Sequence, residues 1–421
     1  MRALILLKLA ARSVGRNARR SALTAAAMVF GLALLILSRT LAEGAHEQWI
    51  ESAVRMGTGH VAIQAPGYLE SSDLDDRLGA AESARAISAI ETVLTDELVA
   101  WAPRLSVNGL ASSAASALPV RIEGVDPTRE RAFSDIEDKV QEGRYLEPGD
   151  RLHAYVGIEL ARRLDLKVGS RFVLTAQSAS GDIEGQLVRV SGIFRTFIPE
   201  VDQALVHIPI ETAREWLRTP GAASTLALLL RGARETDRAV EALRGELAAE
   251  PNVRVLGWRE ASAELDAALR IDDYGDYVFH SILFAIVALA VLNAVMMSVL
   301  GRRREFGVLQ ALGLTGAETG MIVFGEGIFL TAVSGAVGVV AGFILTWGFF
   351  RNGLDLSRLV DSEAAFAGAG GIIDPVIIPV FHTDQILLSV YFILIIGALS
   401  ATYPAWRASK LDVAEAMKFE Q

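Results

Sequence analysis

The sequence predicts an α-helical membrane protein with four transmembrane helices and a large external α+β domain inserted between the first and second. Three observations predict it. Four apolar runs, residues 21–41, 278–300, 322–350 and 383–403, reach or exceed the roughly 20 residues that cross a bilayer core. Between the first two lie roughly 235 residues with no run apolar enough to cross, and these carry strand-like and helix-like patterns in alternation. The basic residues cluster beside the apolar runs, as they do where they set membrane topology.

Residues 1–20 hold Arg2, Lys8, Arg12, Arg16, Arg19 and Arg20, with Lys8, Arg12 and Arg16 at every fourth position. That spacing predicts an amphipathic helix with a basic stripe, lying on an anionic membrane surface. Residues 21–41 would span about 31 Å as a helix, enough for a first crossing. A cleaved signal peptide would have a shorter apolar core, a shorter basic region and a small-x-small cleavage site followed by a mature start, and the stretch does not show this combination.

Residues 42–277 form the external domain. Residues 59–66 alternate like a strand, residues 81–100 place Ile87, Ile90, Leu94 and Leu98 at helical spacing, and residues 118–125 alternate again. The order recurs downstream: strand 225–230, helix 235–249 with Val240, Leu243 and Leu247 inward, strand 253–256. Two β-α-β halves, about 59–125 and 225–258, are thus expected to flank a mostly-β insert of about 142–217. Within the insert, 156–164 reads as a short helix, 169–175 and 187–194 as strands, and Gly181-Asp182 as a turn. Residues 261–276 read as a helix that continues into the second crossing and ties domain to membrane.

The second run carries Asn293, expected to make an interhelical hydrogen bond. Residues 301–321 follow as a short polar loop that opens with Arg302, Arg303 and Arg304, which place it on the cytoplasmic side. The loop has room for one amphipathic helix, with Phe306, Leu309 and Leu312 at i, i+3 and i+6 and Arg304, Glu305 and Gln310 on other faces. In the third run Ser334, Gly338 and Gly342 recur every fourth residue, which lets a neighbouring helix come close. Glu326, near the loop end of that run, is expected to pair with an arginine of the loop. Residues 351–382 are Gly-rich and acidic (Asp355, Asp361, Glu363, Asp374) and read as an external loop with little regular structure. Pro404 is expected to end the fourth helix, and Arg407 and Lys410 to hold a tail, 404–421, inside. Four crossings put both termini and all three basic clusters in the cytoplasm.

No catalytic constellation is legible. The chain has no Cys, which excludes thiolate chemistry and disulfides. It lacks the Gly-x-x-x-x-Gly-Lys-Ser/Thr phosphate loop, His-Glu-x-x-His and Gly-x-Ser-x-Gly. The six histidines are scattered and read as surface or structural, and no metal site is expected. A net charge of −10 argues against a nucleic-acid partner. No enzymatic activity and no cofactor are expected in this chain; if it does work, the energy comes from a partner.

The loop from Arg303 to Gly313 (RREFGVLQALG) resembles the R-R-x-E-I-G-x-L-x-A-L-G signature of ABC-transporter permeases of the macrolide-exporter and lipoprotein-releasing type, with the glutamate shifted by one. The tail from Pro404 to Met417 (PAWRASKLDVAEAM) resembles the family's P-A-x-R-A-A-x-x-D-P-x-E-A-L ending, with Val413 in place of the usual Pro. Asn293 and Glu326 sit where that family often has Asn and Glu. Residues 122–127 and 142–149 resemble its periplasmic domain. The resemblance implies a bacterial inner-membrane permease that pairs with a second permease subunit, identical or homologous. It implies a separate ABC ATPase that binds ATP and Mg and docks on Arg303, Arg304, Glu305, Phe306, Leu309 and Leu312. Because no ATPase is fused to it, the chain looks nearest to lipoprotein-releasing permeases, which implies a lipoprotein client and a periplasmic carrier. The alternatives are an exporter-type permease with a periplasmic adaptor and a division-type permease that activates cell-wall hydrolases. A lipid-anchored client would need a lateral opening in contact with membrane lipid, expected between Leu34, Leu37 and Leu41 of the first helix and Phe279, Leu283 and Ile286 of the second.

Overall fold

The computed structural model describes residues 18–196, 198–355 and 376–411. Most of the expected basic N-terminal helix, the centre of the 351–382 loop and the tail beyond 411 lie outside these. The chain forms two compact units, one of residues 1–45, 270–355 and 376–421, the other of residues 46–269 and 356–375.

Helix α1 (Ala18–Met56) opens the described chain and runs beyond the predicted crossing. In the second unit, β1 (Val61–Gln64), β2 (Leu98–Ser112), β3 (Ala117–Val125), β4 (Val140–Gly143), β5 (His153–Gly157), β6 (Arg171–Gln177), β7 (Ile183–Phe194), β8 (Leu205–Pro209), β9 (Thr225–Leu230) and β10 (Arg254–Gly257) join one sheet. Its order is β10-β1-β9-β2-β3-β8-β5-β7-β4, with β6 paired to β2 and β7. Helices α2 (Ala80–Val93), α3 (Pro127–Phe133) and α4 (Thr236–Glu246) cover it together with shorter turns. The units β1-α2-β2 and β9-α4-β10 interleave as β10-β1-β9-β2, the arrangement of a split β-α-β fold. Neither half closes a core alone. Ile90 and Leu94 from the α2 side and Leu243 and Leu247 from the α4 side share one cluster with Ile63, Leu226, Leu228 and Val255. A second cluster, with Leu105, Ile122, Phe172, Leu174, Val188 and Trp216, lies under the insert.

Three expectations are corrected here. The helix read over 81–100 stops at Val93, and 98–112 is a long strand. Trp101 packs into one cluster and Ala102 into another, one on each face of β2, while β9 and then β6 pair along one edge of β2 and β3 along the other. The insert is therefore not a separate module: β2 passes from one core to the next within a continuous sheet. The helix read at 156–164 begins only at Ile158, because 153–157 pairs with β7 and β8.

In the first unit, α5 (Ala263–Gly301), α6 (Arg303–Ala311), α7 (Gly316–Phe350) and α8 (Thr383–Ser409) follow. Among the described residues four helices, α1, α5, α7 and α8, are long and apolar enough to cross a membrane. Glycines set the packing of α7. A Cβ on Gly327 would sit 2.6 Å from that of Ala401 on α8, and Cβ atoms on Gly338 and Gly342 would sit 2.9 Å from those of Leu32 and Ile36 on α1. Pro404 does not end α8, which runs on to Ser409. The missing N–H breaks one backbone bond, but Ala405 and Ala408 are packed into the cluster with Val323 and Phe306, and that packing carries the helix through. After α7, β11 (Leu354–Asp355) pairs antiparallel with β12 (Val376–Ile377) in a short ladder.

Candidate functional site: the α5–α7 connection

The connection between α5 and α7 is built from the arginine run upward. Arg302 interrupts the helix, and its guanidinium gathers three groups. Nη1 donates to Glu326 Oε2 at 2.9 Å, Nε donates to Glu305 Oε2 at 3.0 Å, and the group lies 4.8 Å over the Phe306 ring. Glu326 Oε1 accepts from Ser298 Oγ at 2.9 Å. The carboxylate expected to need a loop arginine thus finds Arg302, not Arg303 or Arg304. Phe306 is 1% exposed and packs with Val295, Val299 and Val323. Gln310 Nε2 donates to Thr319 Oγ1 at 3.1 Å, joining α6 to α7. Gly313, at φ +103°, stops α6 in a conformation that costs glycine little. Thr315 and Glu318 then form a capping box that starts α7.

These bonds hold α6 with one side down and one side out. Leu309 is 39% and Leu312 79% exposed, beside exposed Val308, Arg304 and Glu305. Phe306 is corrected: it shares no exposed face with Leu309 and Leu312 but anchors the helix beneath them. Arg303 is half-buried, and among the described residues neither it nor Arg304 has a carboxylate within ion-pair distance. An apolar strip rimmed by unpaired arginines suits a protein groove with acidic edges.

The other predicted residues are placed differently. Asn293 is exposed on α5 and makes no hydrogen bond among the described residues. Gly338 and Gly342 are the close-approach points to α1 described above. Of the six residues expected to frame a lateral opening, Leu283 turns inward among Leu32, Leu35, Ile36 and Ile393 and is withdrawn from that role. Phe279 and Ile286 are exposed, and Leu34, Leu37 and Leu41 are half-buried. The pairing expected between Glu326 and an arginine of the loop is present, with Arg302 as the arginine. Sequence reasoning missed Ser298, which shares no spacing with a carboxylate one helix further on.

The external sheet carries charge inside as well. Glu123 on β3 pairs with Arg121 at 3.0 Å and faces His207 at 3.5 Å, and His207 Nδ1 lies 3.3 Å from the Tyr145 hydroxyl. Burial pushes the Glu123 carboxyl up, but Arg121, His207 and Arg104 outweigh it and hold the group well below the usual carboxylate range. His60 is fully buried, with Nδ1 accepting from the Leu230 N–H at 3.1 Å. Among the described residues no cluster of three or more His, Asp or Glu side chains is arranged to hold a metal ion.

Comparison with known proteins matches two family models. The MacB-like periplasmic core domain covers residues 21–246 and the FtsX-like permease C-terminal domain residues 277–413. The chain belongs to the MacB/FtsX permease family. It is similar to the lipoprotein-releasing system transmembrane protein LolC of Neisseria meningitidis, 26% identical with 84% of each chain covered. LolC of Xylella fastidiosa is 24% identical, over 79% of this chain and 81% of that one. An uncharacterized ABC transporter permease of Methanocaldococcus jannaschii is 21% identical, over 68% and 67% of the two chains. The protein is accordingly an ABC-transporter permease of the LolC/MacB type, a multi-pass membrane protein whose relatives are permease subunits.

Proposed function

We propose that the chain is the permease subunit of a lipoprotein-releasing ABC transporter, driven by a separate ATPase that docks on α6. The exposed strip of Leu309 and Leu312 on a helix fixed by Phe306 and Arg302 carries this reading. A loop serving only topology would need its arginines but no presented apolar face. The arginines of this connection, with Arg407 and Lys410 at the end of α8, support a topology with both termini in the cytoplasm. The domain of 42–277 and the 351–382 loop then lie outside, and 301–321 is the coupling loop. ATP and Mg belong to the ATPase, and closure of two such subunits moves the external domains of paired permeases. The resemblance to LolC supports lipoproteins of the inner membrane as clients, handed to a periplasmic carrier.

The test is purification of the tagged chain in mild detergent with identification of every companion. Recovery of an ATPase that Leu309→Asp abolishes, together with acylated proteins, is the expected result. Recovery of the intact chain without an ATPase overturns the coupling reading. An adaptor or a cell-wall hydrolase in place of acylated proteins overturns lipoprotein release alone.

A further inference from the structure

We propose that Arg104 is a positioning residue of the transport cycle, the one through which a displacement of α1 enters the external sheet. The inference rests on the coupling reading above. The end of α1 is where a helix has carbonyls left over and the negative end of its dipole. Gly57 and Gly59 donate back to the carbonyls of Ala53 and Val54, at 2.8 and 3.1 Å. The next carbonyls, of Met56 and Gly57, go to Arg104 on β2: Nη1 donates to both, at 3.4 Å to Met56 and closer to Gly57. The other side of the same guanidinium is taken by Glu130 on α3, from Nε at 3.3 Å and Nη2 at 2.5 Å, and it lies 4.9 Å over the Phe133 ring. The Arg104 carbonyl accepts from Ser224, at the start of β9, at 2.8 Å. One cation thus joins the end of α1, the central strand of the sheet and the helix that lies over it.

Stability alone gives little reason for such a group. Buried ion pairs replaced by apolar residues of like volume are often neutral or more stable, because desolvating two charges consumes most of their attraction. Here the apolar packing is already supplied by Val54, Ala102, Phe133, Leu229 and Trp258, with Trp49 and Ile50 of α1 against them. What the fork adds is direction. A slide or rotation of α1 can repack apolar side chains, but it cannot leave the guanidinium behind without stripping the buried Nη1 of its acceptors while Glu130 holds the other side in place. Lysine offers a point charge without the planar fork and would hold one side only.

The experiment uses the full permease with its ATPase in lipid nanodiscs, with hydrogen exchange of the β2 and β9 amides read in the nucleotide-free and vanadate-trapped states. In wild type, trapping should change exchange in β2 and β9 by about tenfold, the scale of a typical coupling between sites. In the double variant Arg104→Met/Glu130→Leu the change should fall below about twofold, with the melting of the external unit and ATPase docking retained. Arg104→Lys, which keeps the charge, serves if the double variant does not fold, with the same expected loss. A folded variant that still shows the full nucleotide-dependent change overturns the proposal and leaves Arg104 a structural ion pair. Absence of any change in the wild-type sheet overturns the coupling reading itself, and the role of Arg104 falls with it.

Discussion

Removing Arg302 should cost more than removing Arg302 and Glu326 together. The Glu326 side chain is 9% exposed and that of Arg302 15%, and their 2.9 Å bond is the carboxylate's main compensation. In Arg302→Met the carboxylate keeps only Ser298 Oγ. Leaving a buried charge without its partner costs about 3–5 kcal/mol, and the residual exposure and the serine place this variant near about 3 kcal/mol. Replacing both, Arg302→Met with Glu326→Leu, strands no charge and should recover at least about 2 kcal/mol of that loss. The assay is equilibrium unfolding of the full chain in mixed micelles with a rising fraction of denaturing detergent. An Arg302→Met variant as stable as wild type, or a double variant no more stable than Arg302→Met, would refute the reasoning.

The same assay separates the two sides of α6. Phe306→Ala should destabilise by about 3–5 kcal/mol as a core truncation, whereas Leu309→Asp should change stability by less than about 0.5 kcal/mol. Gly342→Ala should destabilise by about 1–3 kcal/mol through overpacking against Ile36. Gly335→Ala, where an added Cβ meets nothing within 4 Å, should gain up to about 1 kcal/mol of helix propensity. For the external unit, burial pushes the His60 imidazole below its ordinary 6.5, against an upward pull from Glu51. The unfolded chain then binds the proton first as pH falls, so the contribution of His60 is complete above about pH 6.5 and is lost progressively below it. Melting of this unit at pH 7.5 and 5.5 checks this, with a His60→Gln variant expected to flatten the difference.

The crossings were legible because a bilayer demands long apolar runs, and α6 because three arginines and an amphipathic repeat sat between two such runs. The second β-α-β half was legible from period, but in the first the strand that closes the unit is β2, not the one read at 118–125. What escaped was pairing at a distance. Leu98 continues the helical spacing of Ile87, Ile90 and Leu94 by accident, and the hairpin partner 117–125 together with the distant strand 225–230 fixes 98–112 as the centre of the sheet. Pro404 gave a correct local signal that the packing of Ala405 and Ala408 overrode. The pairing of Glu326 with a loop arginine was legible, but which of the three arginines makes it was not. Whether Phe306 or Leu309 faces the bundle depends on the tilt of α6, which Arg302 and Gln310 set.

The central claim is that the exposed face of α6 receives an ATPase. The chain contains no cysteine, so Leu312→Cys carries a single photo-crosslinking label. In native membranes this label should capture a nucleotide-binding subunit, and Leu309→Asp in the same chain should abolish the adduct. Adducts with lipid alone from a correctly inserted chain would contradict the account.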